Sequence, residues 1–365
     1  MDIKQVAEQF VIEGSVDRAE PYGNGHINDT YLVTAKKDAA EIRYILQRIN
    51  TSIFKNPDHL MENILGVTKH LGTKIAAAGG DVMRETLSVI PTREQKNYFK
   101  SAEGDCYRMY VFVENTDSLE QIEKAADFYE AAESFGNFQY LLADYPADTL
   151  HETIPDFHNT KKRYERFLAV IEEDIMGRAA EVAAEIAFVK AREKDMSVIV
   201  EALLQGEIPL RVTHNDTKLN NILLDKDSGK GICVIDLDTV MPGSSLYDFG
   251  DSIRFGANHA AEDEVDLSKV WVDLELFEAY VSGYFKGCKG ALTQRETELM
   301  PMGAKLMTLE CGMRFLTDYL EGDTYFKIHR EKHNLDRCRT QFALVADMEK
   351  KWEQMLEIVK RVSEN

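Results

Sequence analysis

Three polar side chains between positions 211 and 240 have residue types and an order that could support chemistry. Asp216 could accept a proton, Asn221 follows five positions later, and Asp236 stands at the end of an apolar run. A carboxylate can position and deprotonate an acceptor hydroxyl, while one Asn and one Asp are sufficient protein ligands for Mg²⁺. Each residue alone is also typical of a turn. Together, in this order, they predict the centre of a kinase-type phosphotransferase.

Three residues near this set could contribute to it. Lys218 could reach a transferring phosphate as a point charge, although a solvated loop lysine is the alternative. His214 is better interpreted as a structural histidine that holds the loop than as a catalytic group. Asp238 lies on the same side of the strand as Asp236 and could be a second metal ligand.

The letters DFG at positions 248–250 suggest a competing assignment for the metal ligand. Protein kinases use the Asp of this motif to bind the metal. Here the motif follows a turn, MPGSS, and opens an amphipathic segment, so Asp248 is predicted to lie at a helix start. We therefore assign the metal to Asp236 and expect Asp248 to anchor the loop.

The elements that must position these residues are predicted from hydrophobic periodicity. NILL (221–224) and ICVIDL (232–237) are apolar runs joined by a turn-rich segment, which predicts a hairpin. Most other strand signals precede residue 115, and the one helix among them is expected to start at Pro57 and stop at Gly72. The strands predicted outside the hairpin are 27–33, 43–49, 87–90 and 107–113.

Long amphipathic helices dominate from about residue 118 onward. The chain is therefore predicted to be a bilobal α+β protein. Residues 1–115 are the expected N-terminal nucleotide-binding lobe with an antiparallel sheet, and residues 116–365 the larger helical lobe for catalysis and acceptor binding.

The first lobe offers residues that could hold a nucleotide. Gly23 and Gly25, in a Gly-Asn-Gly turn, could cover the phosphates with backbone N–H groups or form an ordinary hairpin turn. A kinase-like lobe also places a cation on the following strand, paired with a helix Glu. Arg48, or failing it Gln47, and Glu62 fit these positions, although no Lys is present there.

The strand end YVFVENT (110–116) is the expected hinge between the lobes. Its backbone from Phe112 to Glu114 could contact the adenine of ATP, although an ordinary strand end is the alternative. The lobe boundary is therefore placed near residues 114–117.

The composition limits the partners of this chain. Its 365 residues carry a formal net charge of −20 at pH 7, which opposes a nucleic-acid or anionic-membrane partner because both need a basic patch. Five scattered Cys without a CxxC pair indicate reduced thiols, and no apolar run approaches the roughly 18 residues of a membrane helix. We expect a soluble cytoplasmic protein, and the sequence leaves its oligomeric state open.

Several of these segments resemble known kinases. HNDTKLNN (214–221) is similar to the His-x-Asp-x-x-x-x-Asn motif, and VIDLD (234–238) to the metal-binding Asp motif, of the aminoglycoside-phosphotransferase-like kinases, which share a protein-kinase-like fold. A closer resemblance is to the bacterial N-acetylhexosamine 1-kinases, in the segments PYGNGHIN, YILQRINTSIF, RVTHNDTKLNNIL, IDLDTVMPGSSLYDFGDSIRFGA and LECGMRFLTDYLEGDTYF. This resemblance implies that ATP and Mg²⁺ serve to phosphorylate the anomeric hydroxyl of N-acetylglucosamine or N-acetylgalactosamine.

The segment LECGMRFLTDYLEGDTYF (309–326) bears on the acceptor. Its polar residues at 310, 314 and 318 form a line beside an apolar helical stripe, which alone is typical of a salt-bridged solvent face. The resemblance implies instead that this helix borders the acceptor pocket. Arg314 and Tyr325 would then bind sugar hydroxyls, together with His26 from the glycine turn and the Asp216 carboxylate.

Two other functions stay open at this point. A kinase of the same fold could act on an aminoglycoside, choline or another amino alcohol, and the negative net charge is compatible with such cationic acceptors. A nucleotide-binding pseudokinase module is supported only by the missing strand Lys. The intact Asp216, Asn221 and Asp236 oppose that second alternative.

Overall fold

The computed structural model describes residues 1–23, 27–118, 122 and 124–364. The strands are β1 (Ser15–Pro21), β2 (Asp29–Lys37), β3 (Ala40–Ile49), β4 (Val89–Ile90), β5 (Phe99–Lys100), β6 (Cys106–Val111), β7 (Thr116–Ser118), β8 (Arg211–Thr213), β9 (Ile222–Asp225), β10 (Gly231–Val234) and β11 (Met241–Gly243). The helices are α1 (Ile3–Ala7), α2 (Pro57–Ala77), α3 (Val82–Glu85), α4 (Ala125–Leu141), α5 (Thr160–Glu173), α6 (Ala183–Lys190), α7 (Val198–Leu204), α8 (Ser245–Gly256), α9 (Leu274–Cys288), α10 (Gln294–Glu321), α11 (His333–Lys350) and α12 (Trp352–Ser363).

The chain forms two compact units, each built from more than one segment. The N-terminal unit comprises residues 1–117, 148–155 and 223–241, and the helical unit comprises residues 118–147, 156–222 and 242–365. The predicted fold class, an N-terminal antiparallel sheet with a larger helical part, is confirmed. The sequence predicted a single boundary between the lobes. It did not predict that residues 148–155 and 223–241 belong to the N-terminal unit.

The N-terminal unit is built on an antiparallel sheet in the order β1-β2-β3-β6-β4, with β5 also paired to β6. Because side chains alternate along each strand, the sheet has two distinct faces. One face packs on α1 and the residues after it through a core that includes Phe10, Leu46 and Met109. The other face carries Gln47 and Arg108, which lie directly opposite each other in the register of β3 and β6.

The predicted strands are confirmed in type, with shifted ends. Residues 27–33 fall in β2, 43–49 in β3, 87–90 in β4 and 107–113 in β6, and the predicted hairpin strands are the neighbours β9 and β10. The sequence did not predict β1, because SVDRAEP is largely polar and exposed. It also missed β5, β7, β8 and β11, which are too short for a periodic signal.

The predicted start of α2 is confirmed, but its predicted end is wrong. Pro57 occupies the first position, and the Asn56 side chain accepts backbone N–H groups of the first turn. The helix passes Gly72 and ends at Ala77. A Cβ at Gly72 would lie 3.1 Å from Cγ1 of Val82. This glycine therefore serves close packing against α3 and does not end the helix.

All five cysteines are free thiols. Burial raises the pKa of Cys233 and Cys288 to about 12, so these two groups stay protonated at neutral pH. In the part of the chain that the structure describes, no helix is both long and apolar enough to cross a membrane.

Glu296 on α10 connects three elements of the helical unit. It forms a buried ion pair with Arg211 on β8, with Nε–Oε1 at 2.5 Å and Nη2–Oε2 at 2.8 Å. Ser245 at the start of α8 donates a further hydrogen bond to Oε1 at 2.7 Å. The helices α8 and α10 approach closely at Gly250, where a Cβ would lie 2.2 Å from the carbonyl oxygen of Gly303.

Replacing Glu296 by Gln should lower the free energy of unfolding by about 3–5 kcal/mol near neutral pH, because Arg211 would stay buried without its partner. Burial alone would raise the pKa of Glu296, but Arg211 holds it below its ordinary value. A depressed folded-state pKa gives a contribution that is full above about pH 4.3 and is lost as the pH falls further. Urea denaturation at about pH 7 and about pH 3.5 should show the gap between wild type and variant shrinking.

The matched control for this prediction is Glu278→Gln, which breaks an exposed pair between Glu278 and Arg361. That variant should lose only about 0–1 kcal/mol. Equal losses in the two variants would contradict the importance assigned to Glu296.

Candidate active site

Asp216 lies in the loop between β8 and the 3-10 turn Leu219–Asn221, within the helical unit. Lys218 places Nζ 2.8 Å from Oδ1 of Asp216. Asn221 donates from Nδ2 to the backbone oxygen of Asp216 at 2.8 Å and to Oδ2 at 3.4 Å. Burial alone would lower the pKa of Lys218, but the Asp216 carboxylate raises it overall. The structure thus brings three of the predicted residues together.

Asp248, the first residue of the DFG letters, anchors this loop as predicted. Its Oδ1 accepts the N–H of Asn215 at 2.7 Å, and its Oδ2 accepts the N–H of His214 at 2.9 Å. The Gln139 side chain also donates to Oδ2 at 2.9 Å. Burial raises the pKa of Asp248. Asn215 has a positive φ of 64°, and the Asp248 carboxylate stabilises this uncommon backbone conformation.

His214 has the structural surroundings that the sequence predicted. Its side chain is fully buried, and its ring packs edge-on against Phe135 and Phe138 at centroid distances of 5.7 and 6.0 Å. Its Nδ1 accepts the N–H of Asp216 at 3.3 Å. The imidazole therefore supports the loop from its buried side.

A second acid on α8, Asp251, extends this support. Its Oδ2 accepts the N–H of Thr217 at 3.1 Å, and its Oδ1 binds the guanidinium of Arg254 at 2.8 Å. Burial alone would raise the pKa of Asp251, but Arg254, Lys218 and His158 hold it below its ordinary value. Two buried carboxylates of one helix therefore fix the backbone on both sides of Asp216.

The polar line on α10 is not a solvent face. Glu310 and Asp318 are 1% and 2% exposed. Glu310 binds Nδ1 of His158 at 3.0 Å and lies 3.5 Å from Nε of Arg163. Burial alone would raise the pKa of Glu310, but His158, Arg163 and Arg314 hold it below its ordinary value. This face of α10 is a buried charged network.

Asp318 holds the loop that carries Tyr325. Its carboxylate accepts the backbone N–H groups of Thr324, Tyr325 and Phe326 at 2.7–2.9 Å. The Tyr325 side chain stays 64% exposed. The loop therefore presents this ring and hydroxyl at the surface of the helical unit.

Arg314 lies among aromatic rings of the helical unit. Its guanidinium carbon is 5.6, 5.9 and 5.4 Å from the ring centroids of Phe157, Tyr325 and Phe326. Among the residues that the structure describes, no hydrogen-bond acceptor for this guanidinium is found. Arg163 is close enough that burial and repulsion by Arg314 lower its pKa. Arg163 and Arg314 thus lie in one region with the buried acid Glu310, and Asp156 also acts on Arg163.

Asp236 and Asp238 belong to the N-terminal unit, at the 3-10 turn Leu237–Thr239. Asp236 has a left-handed backbone with φ 57°. Asp238 is buried, forms an ion pair with Arg108 and accepts from Nδ2 of Asn28 at 2.5 Å. Asp238 is therefore committed to protein partners. A carboxylate oxygen such as that of Asp236 suits Mg²⁺, and its role as a metal ligand stays a prediction.

The predicted ion pair between Arg48 and Glu62 is wrong. Arg48 donates from Nε to Asp29 at 2.8 Å, whereas Glu62 lies 2.7 Å from Nε2 of His151. The reason is the alternation of side chains along β3, which puts Arg48 on the opposite face from Gln47. The face expected to hold the cation therefore carries Gln47 at this strand.

The glycine turn lies only partly within the described residues. Gly23 has φ 72°, and a Cβ there would meet nothing within 4 Å. Gly25 and His26 lie outside the described residues. The predicted cover for the phosphates therefore stays a prediction.

Some groups of the predicted hinge already have partners within the N-terminal unit. The Phe112 N–H donates to the backbone oxygen of Arg43 at 3.2 Å, and the Arg43 guanidinium carbon lies 4.1 Å from the Phe112 ring centroid. The Glu114 carboxylate accepts from Nε of Arg43 at 2.9 Å. The Glu114 backbone oxygen accepts from Arg84 at 3.2 Å. Contact with adenine at these residues stays a prediction.

A model of the APH phosphotransferase enzyme family matches residues 18–280, which is more than half of the chain. The chain belongs to this family. It is thus a phosphotransferase of protein-kinase-like fold.

Solved structures with the same fold extend over nearly the whole chain. The microcompartment-associated aminopropanol kinase has 16% identity and a TM-score of 0.61, with 97% of each chain covered. The choline kinase of Cryptosporidium parvum has 13% identity and a TM-score of 0.56, covering 93% of this chain and 91% of its own. A spectinomycin phosphotransferase in complex with ADP and spectinomycin has 11% identity and a TM-score of 0.55, covering 93% and 94%. At these identities the likeness shows the fold alone.

Sequence reasoning missed several polar and aromatic residues of the two units. Arg108 was counted only as part of an apolar strand, although an Arg inside a strand predicted to be buried requires a partner and could have been noticed. Phe157 and His158 lie in a loop without periodicity, so no local signal marked them. Asp251 lies within α8, directly after the DFG letters that the same helix contains, and no sequence pattern distinguished it.

Replacing Asp248 by Asn should reduce kcat by about a hundredfold or more, because an amide cannot accept both loop N–H groups and a displacement of about 1 Å at Asp216 is enough for such a loss. Steady-state formation of ADP, with an acceptor that the wild type phosphorylates, measures kcat. The midpoint of thermal unfolding shows whether the variant is folded. Asp263→Asn, which changes a half-exposed acid paired with Arg330, is the control and should keep turnover. A folded Asp248→Asn variant with wild-type kcat would exclude the anchoring role.

Proposed function

We propose that this APH family member is an ATP- and Mg²⁺-dependent kinase that phosphorylates the anomeric hydroxyl of an N-acetylhexosamine. The choice of sugar and hydroxyl follows from the sequence resemblance. The observation that supports it in the structure is the guanidinium of Arg314, set among three aromatic rings with no hydrogen-bond acceptor in the described part of the chain.

The surroundings of Arg314 favour an uncharged, oxygen-rich acceptor. Aromatic faces that could bind a quaternary ammonium by cation–π contact are already covered by the guanidinium. Arg163 adds a second positive charge, and Glu310 is engaged by His158 and Arg163. An ammonium group would therefore be repelled here. Sugar hydroxyl and acetyl oxygens would satisfy the free N–H donors of Arg314.

The chemistry assigned to Asp216 is removal of one proton. As the anomeric oxygen forms its bond to the γ-phosphorus of ATP, the bond from that phosphorus to the ADP oxygen breaks, and the carboxylate takes the hydroxyl proton. Lys218, 2.8 Å from Asp216, supplies a positive charge beside the reacting oxygens. Bound Mg²⁺ would neutralise charge on the phosphates, and Asn221 and Asp236 remain its predicted ligands.

The nucleotide contacts are carried forward from the sequence. Gly23 and Gly25 are proposed to cover the phosphates, and the residues from Phe112 to Glu114 to contact adenine. The corrected positions of Arg48 and Glu62 leave open which cation serves the phosphates.

A second candidate is a kinase for an amino alcohol, choline or an aminoglycoside. It is favoured by the aminopropanol and choline kinases and the spectinomycin phosphotransferase among the structures of the same fold. The net charge of −20 is also compatible with a cationic acceptor. The positive surroundings of Arg314 argue against it.

The experiment that separates these functions is an acceptor panel with Mg²⁺-ATP and detection of ADP. N-acetylglucosamine or N-acetylgalactosamine should give the fastest turnover and a product phosphate that is stable to alkali and labile to acid. Faster turnover with choline, aminopropanol or an aminoglycoside would replace the sugar by the second candidate. Nucleotide binding without turnover across the panel would favour the pseudokinase alternative.

Asp216→Asn should abolish turnover while leaving nucleotide affinity within about threefold, because only the proton acceptor is removed and the amide keeps its shape. Calorimetric titration with an ATP analogue and steady-state kinetics measure the two quantities. Wild-type kcat in this variant would exclude Asp216 as the base.

Arg314→Met should raise KM for the acceptor by about tenfold to a hundredfold and leave KM for ATP unchanged, since charge-assisted hydrogen bonds to the acceptor are lost. Arg192→Met is a matched control, because Arg192 also lies over an aromatic ring, Phe188, but is paired with Glu349. The control should keep both KM values. A rise in KM for ATP alone would contradict the acceptor role of Arg314.

A further inference from the structure

We infer that Arg108 on β6 is the positioning cation of the nucleotide-binding face, in place of the lysine that protein kinases carry on their third strand. This inference rests on the proposed use of ATP and does not depend on the identity of the acceptor. The ligand class is a nucleoside triphosphate with Mg²⁺.

The register of the sheet supports the relocation. The cation of a kinase-like lobe stands on the third strand, where this chain has Gln47. Arg108 is the residue directly opposite Gln47 on the neighbouring strand. Directly opposite residues have Cβ atoms about 5 Å apart and share a face. Oε1 of Gln47 accepts from Nε and Nη2 of Arg108 at 3.1 and 2.8 Å, so the glutamine holds the guanidinium at this point of the face.

Arg108 is a buried charge, and its burial indicates a specific role. Its side chain is 1% exposed, and its partner Asp238 is 4% exposed. Replacing such a pair by apolar residues is often neutral or stabilising, so stability alone does not account for it. Nη1 of Arg108 is buried and has no hydrogen-bond partner among the described residues. A buried cationic N–H without an acceptor is costly and points to a group absent from the chain itself.

Asp238 links this cation to the predicted metal site. It stands two residues after Asp236, and Asn28 holds it from the other side with a hydrogen bond of 2.5 Å. The pair between Arg108 and Asp238 therefore fixes the turn that carries Asp236. Arg108 therefore holds this turn in position, in addition to the charge that it supplies to the face of Gln47.

The other cations of β3 are committed elsewhere. Arg43 is bound to Glu114, and Arg48 to Asp29. Glu62, the acid of α2 that would pair with a strand lysine, is bound to His151. Within the described residues of the sheet, Arg108 is the buried arginine on the face of Gln47.

The test measures affinity for Mg²⁺ with a non-hydrolysable ATP analogue by calorimetry, which needs no acceptor. The decisive variant is Arg108→Gln with Asp238→Asn, because it removes both buried charges and leaves neither unpaired. If Arg108 only neutralises Asp238, this double variant binds like the wild type, and the inference is overturned. If Arg108 supplies the charge, affinity falls about tenfold to a hundredfold.

Two further variants keep the test decisive. Adding Gln47→Lys to the double variant returns a cation to the third strand and should recover about tenfold in affinity. Arg108→Lys alone keeps the charge and should bind within about fivefold of the wild type, and a hundredfold loss in a folded Arg108→Lys variant would overturn the inference. Arg18→Gln, at an exposed pair with Glu41 on the same sheet, is the charge control and should not change affinity.

A failure of the proposed sugar kinase function is distinguishable from a failure of this inference. Rejection of N-acetylhexosamines in the acceptor panel leaves the affinity for the nucleotide analogue untouched. Wild-type affinity in the double variant, with sugar turnover retained, would remove the inference alone.

Discussion

The buried carboxylate of Asp248 is the interaction on which the catalytic loop depends. It binds the backbone of His214 and Asn215, and so it determines where Asp216 points. Its helix, α8, is pressed against α10 at Gly250, and α10 returns through Glu296 to Arg211 on the strand that leads into the loop. The strand, the loop and the two helices therefore form a closed network of contacts. This network holds the loop rigid, because no element can move without displacing another.

Local charge matters more here than the net charge of −20. In the helical unit, Arg163 and Arg314 lie close to Glu310, which His158 also engages, and Asp156 acts on Arg163 as well. In the N-terminal unit, Arg108 is buried between Gln47 and Asp238. Both regions hold arginines that lie against acids of the same unit. An average over the whole chain excludes partners with large anionic surfaces but does not describe either region.

The chemistry-bearing set could be predicted because its residues are close in sequence. Asp216 and Asn221 lie in one loop, and the helix start that follows Pro242 correctly identified Asp248 as an anchor. The misses share a different cause. Arg108 and Asp238 are 130 positions apart, and His158 and Glu310 are 152 apart, so no local period reveals them.

Two other misses came from rules that packing overrides. Gly72 is a helix breaker by propensity, but its lack of a side chain admits Val82. Arg48 directly follows Gln47 in the sequence. Because side chains alternate along β3, Arg48 lies on the opposite face of the sheet from Gln47. In both cases the residue type was identified correctly, but the surrounding three-dimensional structure determined the role of the residue.

The N-terminal unit consists of three separate segments of the chain, which affects when it can fold during synthesis. Residues 148–155 are held to α2 by paired hydrogen bonds between Asn63 and the backbone of His151, and β9 pairs with β7. The last segment of this unit ends at position 241 of 365. A ribosome must therefore release about two thirds of the chain before the first unit can be completed. This unit can therefore be completed only later in translation than an N-terminal domain whose residues are contiguous in the chain.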